Sequence, residues 1–475
     1  MSRINTNIPS LIARRVLNTQ NDGLNTSLQR LSTGLRVNNG KDDPAGLIAS
    51  ETLRNEEMAL QAAIGNVGRA VNVVSVAEAG LVEVNNLLTE LETLIDRSAN
   101  EAGISEEERN ANQLQIDAIL NSINRIANST EFQGRKLLGG ELGFSTSGVL
   151  ASAVSGVQVY AAKISNNSYR NVVVAITASA QKARLDFTGS AVGAGSLTLE
   201  VSGSLGTDTI SVASGATVSA VAYAINQISS VTGVTASSTA SSLAFLSTNY
   251  GSSEFVSIRG LNRAFTVSGG DAGADRDNGR DASVTINGTT ATTQGLKASI
   301  RDATLSIDID LTSQFGNMQL TSDVETFQIL DGGADFMIAP KVNLAGTENI
   351  GLNSITIGNL GSSTLGFLSS LASGQTNSLA SGNYGQAQSI TRAAQSQVAN
   401  LRGRLGAFQK NTLETTANAL RVSLENATAA ESAIRDTDFA EETSKLTRQQ
   451  ILVQSATNVL RIANSSPQNV LALLG

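Results

Sequence analysis

The first part of the chain carries apolar residues at helical spacing. They are separated by seven residues and then by alternating steps of four and three, which places them on one narrow face of a helix. The pattern predicts a helix over about residues 9–35, and a seam this narrow needs a partner helix. The seam residues are Leu17, Leu24, Leu28, Leu31 and Leu35.

A longer apolar stripe follows the first seam. Its residues recur at steps of three and four over 60–95 and predict a helix over 44–99, on the order of 80 Å long. Ser105 and Glu108 then have the spacing of a capping box, which predicts the start of another helix that ends near residue 127.

The end of the chain has the same character as its beginning. A stripe over 398–424 predicts a long helix, and the last helix carries apolar residues seven positions apart. We expect the two terminal seams to pair with each other, because neither is wide enough to cover a core. The residues of the last seam are Phe439, Leu446, Val453 and Leu460.

The middle of the chain changes composition. Gly, Ser, Thr, Ala and Val dominate, and strand-like runs such as SLTLEVSG and TLSIDIDL alternate with Gly and Asn turn signals. Residues 217–237 read as helix, turn and strand. The fold class is therefore α+β and multidomain: a coiled-coil core of long helices from both chain ends, with one or two β-rich outer domains inserted. The predicted segments are 1–42, 43–140, 141–381, 382–436 and 437–475.

Composition narrows the chemistry. The 475 residues include no Cys and no His, so thiolate nucleophiles, imidazole bases, catalytic triads, disulfides and the usual zinc ligands are excluded. A net charge of −8 argues against nucleic acid as a partner. There is neither a cleavable signal pattern nor an apolar run of membrane-spanning length. We expect no enzyme activity, no cofactor and no membrane span.

The stretch RVNNGKDDPAGLIASETLR has two possible meanings. Asp42 and Asp43 could be paired carboxylates of a catalytic site, but adjacent residues rarely converge on one substrate. As a corner between two helices, each residue has a role: Asp43 caps the next helix, Pro44 begins it, and Gly40 lets the preceding connection turn. We favour the corner.

A second acidic stretch, GGDAGADRDNGRD, is a candidate calcium-binding loop. Its residues are out of phase with the calcium-loop pattern and lack the distal Glu, so we expect a solvated turn. The many Ser and Thr residues of the middle are either plain surface residues or acceptors for O-glycosylation.

The motifs at both ends closely resemble those of bacterial flagellins. They are INTNIPSLIARRVLN, LSTGLRVNNGKDDPAGLIASETLR and STEFQGRKLL at the start, and the long run from AAESAIRDTDF to NVLALLG at the end. The resemblance implies an inner coiled-coil layer from residues 1–42 and 437–475, an outer-core helical rod from 43–140 and 382–436, and a variable surface region between them. It also implies a structural, extracellular filament subunit.

The resemblance implies partners as well. Flagellins polymerise with other flagellin subunits, are exported unfolded by the flagellar type III apparatus, and meet an export chaperone, a cap protein and hook-filament junction proteins. Two alternatives stay open: a hook-filament junction protein of the same architecture, and a secreted surface adhesin.

One segment departs from the flagellin pattern. In many flagellins the counterpart of LLTELETLIDRSAN carries Arg at the positions held here by Glu90 and Glu92, and an animal Toll-like receptor contacts that surface. With Thr89 and Leu94, these residues form the receptor-facing segment that the resemblance implies. Unmatched charge at an interface is costly, so we expect weak receptor activation.

Overall fold

The computed structural model describes residues 6–164, 169–270, 275–302, 304–317, 324–362 and 365–474, with side chains described as far as residue 466. The long helices predicted from the apolar stripes are confirmed, and their ends differ from the prediction by a few residues. A π-helical turn, Gln409–Glu414, interrupts the penultimate long helix. The helices are α1 Ile8–Thr33, α2 Pro44–Ser98, α3 Glu106–Ser129, α4 Val218–Gln227, α5 Ser229–Thr232, α6 Ser313–Gly316, α7 Tyr384–Phe408, α8 Thr415–Arg435 and α9 Phe439–Leu474.

Polar side chains fix several of the helix starts. The Asn7 side chain accepts a hydrogen bond from the Ser10 N–H at 3.1 Å and caps α1. Ser105 caps α3 by accepting from the Glu108 N–H at 3.2 Å. None of the described helices is both long enough and apolar enough to cross a membrane.

The chain divides into two compact units. One contains Met1–Val71, Met337–Val342 and Phe408–Gly475, and the other contains Asn72–Phe336 and Asn343–Ala407. The predicted stripe of α2 is its buried face in both units, since every third or fourth residue is almost inaccessible to solvent. These residues are Leu60, Ala63, Val67, Ala70, Val74, Ala77, Leu81, Val84, Leu88, Leu91, Leu94 and Ile95.

The second unit contains most of the strands. The larger sheets are antiparallel, and their strand orders are β6-β10-β9, β12-β11-β7-β8, β14-β13-β5-β18-β3 and β15-β16-β17-β4. The strands are β1 Glu131–Phe132, β2 Arg135–Lys136, β3 Ser145–Ser147, β4 Val154–Ala162, β5 Arg170–Ala178, β6 Arg184–Thr188, β7 Leu197–Gly203, β8 Thr207–Val212, β9 Val234–Ser238, β10 Ser242–Ser247, β11 Phe255–Gly260, β12 Arg276–Asn278, β13 Ser283–Ile286, β14 Thr289–Thr290, β15 Thr292–Gln294, β16 Lys297–Arg301, β17 Leu305–Leu311, β18 Val324–Asp331, β19 Ala334–Met337, β20 Thr347–Ile350, β21 Gly361–Ser362 and β22 Gly366–Phe367.

These strands enclose two separate hydrophobic cores. One lies between the β5 and β17 sheets and includes Phe315 and Phe327. The other lies between the β7 and β10 sheets and α4, with Phe245 fully buried in it. The predicted helix and strand over 217–237 are confirmed as α4 and β9, and the short helix α5 occupies the predicted turn.

The chain leaves the helical part of the second unit and returns to it at neighbouring points. The Leu352 N–H donates to the Leu142 carbonyl at 2.8 Å, and the Ile355 N–H donates to the Leu138 carbonyl at 3.1 Å. The returning chain is then fixed to α3 by the buried Gln113, which donates to the Leu371 carbonyl at 3.0 Å. The strands between these points are therefore anchored at both ends by backbone hydrogen bonds.

Candidate functional site

The two terminal helices, α1 and α9, pack against each other along their length. Polar contacts align their far ends, since the Asn7 side chain donates to the Ala463 carbonyl at 2.8 Å and the Ser10 hydroxyl donates to Asn464 at 2.7 Å. Among the described side chains, the most buried ones of this pair are small or polar. They are Ala13, Ser27, Glu442, Ala456 and Ala463.

Helices α1 and α9 contact each other through two positions of the heptad. The sequence pattern predicted only the position that carries large aliphatic residues. Leu17, Leu24 and Leu31 in α1 are half-buried, as are Leu446, Val453 and Leu460 in α9. The other position repeats every seven residues and carries small or polar side chains that allow close approach. Its members are Ala13, Gln20 and Ser27 in α1, and Glu442, Gln449, Ala456 and Ala463 in α9.

For three residues, the prediction that they take part in the contact between α1 and α9 is wrong. Leu28 is 47% exposed, because Ser27 and not Leu28 faces α9. Leu35 lies outside α1, which ends at Thr33 because Gly34 adopts a left-handed conformation with φ of 74°. Phe439 is 57% exposed and is the first residue of α9.

A buried carboxylate lies in the same contact. Glu442 is 4% exposed, and its Oε2 lies 3.8 Å from Arg30 Nη1 and 3.7 Å from Lys445 Nζ. A buried charge requires such partners, since its desolvation is costly. The sequence pattern gave no signal for this group, because a Glu at a heptad position reads as a surface residue.

Both helices also expose large apolar side chains away from their mutual contact. Ile12, Val16, Ile451, Val459 and Ile462 are between 42% and 64% exposed. A groove with a volume of about 510 Å³ runs between the helices at this level. It is lined by Pro9, Ile12, Ala13, Val16, Gln20, Leu452, Ser455, Ala456 and Val459.

The carboxylates of Asp42 and Asp43, in the corner between α1 and α2, accept hydrogen bonds from backbone N–H groups. Asp43 Oδ1 accepts from the Gly46 N–H at 2.8 Å and so caps α2, which begins at Pro44. Asp42 Oδ2 accepts from the Asn39 N–H at 3.0 Å and closes the preceding turn. The two side chains thus bind different backbone segments and form no shared site.

Gly40 lies in the expected turn, but its backbone conformation does not require a glycine. Its φ is not positive, and an added Cβ would make only ordinary contact with Leu47, at 3.6 Å. The left-handed residue is Gly34, where the chain leaves α1. From there the connection pairs with the end of α8, since the Arg36 N–H donates to the Arg435 carbonyl at 2.7 Å.

The receptor-facing segment lies on α2 and is only partly accessible. Thr89 and Glu90 are exposed. Glu92 is paired within the chain: Arg392 Nε lies 2.8 Å from its Oε1, and this hydrogen bond holds the pKa of Glu92 below its usual value. Leu94 is 4% exposed and belongs to the buried stripe, so the prediction that it faces outward is wrong.

The second acidic stretch is in part a strand, so the predicted turn is wrong there. Residues Arg276–Asn278 form β12 and pair with β11. Asp277 Oδ2 accepts from the Arg184 N–H at 2.7 Å, and Asp281 Oδ1 accepts from the Gly295 N–H at 2.6 Å. In the described ranges, no group of three or more acidic side chains could hold a metal ion.

Known proteins match both ends of the chain and part of its middle. Residues 4–142 match the bacterial flagellin N-terminal helical region, residues 388–474 match the C-terminal helical region, and residues 196–249 match the flagellin hook IN motif. The last match covers most of the core around α4.

Full-length relatives give the same assignment. The B-type flagellin of Pseudomonas aeruginosa is 31% identical over 528 residues, and flagellin C of Vibrio anguillarum is 27% identical over 479 residues, with 99% of each chain covered in both cases. Among solved structures, flagellar hook associated protein-3 of Legionella pneumophila is 12% identical, with 81% of this chain and 98% of that chain covered, at a TM-score of 0.31. On the full-length match at 31% identity, the chain belongs to the bacterial flagellin family.

Proposed function

We propose that this flagellin polymerises into the flagellar filament through the paired helices α1 and α9. Flagellins are structural proteins of the extracellular filament and are not enzymes. Within one subunit, α1 and α9 pack closely against each other at the heptad positions that carry small side chains. Their large exposed apolar residues are then buried against neighbouring subunits of the filament.

The observation that carries the proposal is the division of apolar residues on these helices. Large aliphatic side chains such as Ile451 at 61% and Ile462 at 64% exposure lie outside the contact of α1 with α9. Leaving them in water costs about 1.5–3 kcal/mol each relative to burial. A helical polymer supplies repeated, non-closing interfaces at which they are buried.

Export and further partners are part of the same proposal. A chain without cysteine cannot form disulfides while unfolded, which suits passage through the type III apparatus. We expect an export chaperone, a cap protein and hook-filament junction proteins as partners. A junction protein would add only a short segment, and an adhesin would remain a monomer, so filament length separates these alternatives.

Deletion of residues 437–475 tests the pairing of the chain ends. The truncated protein should be a soluble, partly helical monomer that forms no filaments when seeded, as judged by electron microscopy. Normal filaments from this protein would contradict the proposal.

Point variants separate the outward surface from the pairing itself. Ile451→Ser should leave the helical circular dichroism of the monomer unchanged and raise the critical concentration for polymerisation about 30-fold, since it removes about 2 kcal/mol of apolar burial. Gln450→Ser, on the neighbouring exposed position, is the matched control and should polymerise normally. Equal critical concentrations for the two variants would argue against this surface.

A further inference from the structure

A cleft of about 520 Å³ opens beside the hydrophobic core that lies between the β7 and β10 sheets and α4. It lies between β6, the connection that follows β6, and the segment 263–268, far in sequence from the terminal helices. Sites for small ligands commonly have volumes of roughly 300–1,000 Å³, so this cleft has room for a sugar ring. Nothing in filament assembly through α1 and α9 uses it.

The floor of the cleft is aromatic and fixed. Phe187 stacks on Phe265 with ring centroids 4.6 Å apart and an interplanar angle of 16°. Phe265 in turn meets the fully buried Phe245 edge to face at 6.2 Å. Because Phe265 is anchored in the core, the half-buried Phe187 ring is held in one orientation.

The rim of the cleft is polar and equally fixed. Asp186 and Ser268 exchange backbone hydrogen bonds at 2.7 and 2.8 Å, and Arg184 Nε lies 3.0 Å from each carboxylate oxygen of Asp186. Each of these oxygens keeps a lone pair for a further donor. The hydroxyls of Thr188 and Thr266 are exposed, and neither makes a hydrogen bond within the described part of the chain.

One cation, Arg263, also lines the cleft and is hydrogen-bonded to the backbone. Arg263 donates from Nη1 to the Ala194 carbonyl at 2.7 Å and from Nη2 to the Gly193 carbonyl at 3.2 Å. Each of these two nitrogens uses one N–H in this way, so the guanidinium is held in place and keeps further donors. With Asp186 as an acceptor and Arg263 as a donor, the cleft suits a ligand that both donates and accepts hydrogen bonds, as hydroxyl groups do.

We infer that this cleft binds a neutral hexose or hexosamine unit of a glycan. A sugar ring has an apolar C–H face, which packs on the Phe187 ring, and a rim of hydroxyls, which donate to Asp186 and exchange hydrogen bonds with Thr188 and Thr266. A purely apolar ligand would leave these rim groups unpaired, which is costly. The inference goes beyond filament assembly and does not depend on it.

The test uses the full-length monomer and methyl glycosides of glucose, galactose, mannose, N-acetylglucosamine and N-acetylgalactosamine. Saturation-transfer NMR should detect at least one of them, and a titration should give a Kd in the millimolar range typical of a single sugar unit. Asp186→Asn should weaken that binding at least tenfold, because an amide accepts hydrogen bonds less strongly than a carboxylate.

Two further variants keep the test decisive. Phe187→Leu keeps an apolar side chain but removes the ring face, and should also weaken binding at least tenfold; its melting temperature shows whether the core is intact. Asp208→Asn, at a half-buried position of the edge strand β8 outside the cleft, should bind like the parent. Binding by none of the five glycosides, or binding that Asp186→Asn leaves unchanged, would overturn the inference.

Discussion

At the scale of single residues, one cluster joins the β-rich part of the second unit to α7. The Tyr160 hydroxyl donates to Asp308 at 2.9 Å, and Arg301 lies 2.6 Å from the other oxygen of the same carboxylate. Arg404 of α7 stacks on the Tyr160 ring, with its guanidinium 4.0 Å from the ring centroid, and donates to the Gly351 carbonyl. The ring is thus held on its edge by a carboxylate and on its face by a cation.

Burial shifts the pKa values of both Tyr160 and Arg404. It raises the pKa of Tyr160 to about 12 and lowers the pKa of Arg404 to about 10. The raised Tyr160 pKa stabilises the fold below pH 10, and this contribution is lost as the pH rises from 10 to 12. The lowered Arg404 pKa acts in the opposite direction, because its buried charge opposes folding below about pH 10.

Tyr160→Phe isolates the tyrosine contribution. At pH 7 the variant should lose about 1 kcal/mol of unfolding free energy, because the hydrogen bond to Asp308 is gone while the ring still packs on Arg404. Between pH 10 and 12 the gap to the parent should narrow, as measured by urea unfolding. Tyr223→Phe, at a 68% exposed position, is the control and should show neither effect.

The receptor-facing segment gives a second prediction at this scale. We propose weak activation of an animal Toll-like receptor, since Glu90 is the exposed acidic residue of the segment and Glu92 is held by Arg392. In a cell reporter assay, Glu90→Arg should raise signalling about tenfold or more by removing an unmatched charge. Glu83→Arg, also exposed on α2, is the control. Strong signalling by the parent protein would contradict the proposal of weak receptor activation.

At the scale of elements, the π-helical turn between α7 and α8 has an identifiable cause. Leu405 and Leu413 are both fully buried although they are eight residues apart, a spacing that in a regular α-helix would rotate Leu413 by about 80° from Leu405. The wider π turn accommodates one extra residue and returns Leu413 to the buried face. Ala417 and Leu420 then continue at normal helical spacing.

Deleting one residue from the π turn should therefore be tolerated. Removal of Asn411, which is exposed, lets the turn close as α-helix and keeps Leu420 on its face, so we expect an unfolding free energy within about 1 kcal/mol of the parent. Removal of Asn418, which is exposed in regular helix, rotates everything after it by about 100° and should cost several kcal/mol. Similar losses for both deletions in urea unfolding would show that the extra residue is not what the turn absorbs.

The same elements show how far the sequence pattern reaches. Stripes of Leu, Ile and Val predicted every long helix, because burial of large aliphatic groups is the strongest periodic signal in a chain. The other half of the heptad in α1 and α9 was missed, since Ala13, Ser27 and Glu442 do not read as core residues. The π turn was missed for a related reason, because its only mark is one irregular step in the stripe.

At the scale of the whole molecule, alternation of strands and turns predicted a β-rich middle but neither its sheets nor its cleft. Strand order depends on which distant segments meet, and a periodicity of two residues carries no such information. The cleft is assembled from β6 and from residues 263–268, which no spacing in the sequence connects. Composition alone still excluded histidine and cysteine chemistry for the entire chain.

The backbone hydrogen bonds between Leu142 and Leu352 have a consequence for how such a protein evolves. Because the chain departs and returns at adjacent positions, we propose that most of the residues between them behave as an exchangeable cassette on a fixed helical base. We further propose that this cassette lies on the filament surface, so that its insertion, deletion or replacement alters what the cell displays while the helices on either side keep their positions. Selection can thus act on the displayed surface and on the polymer almost independently.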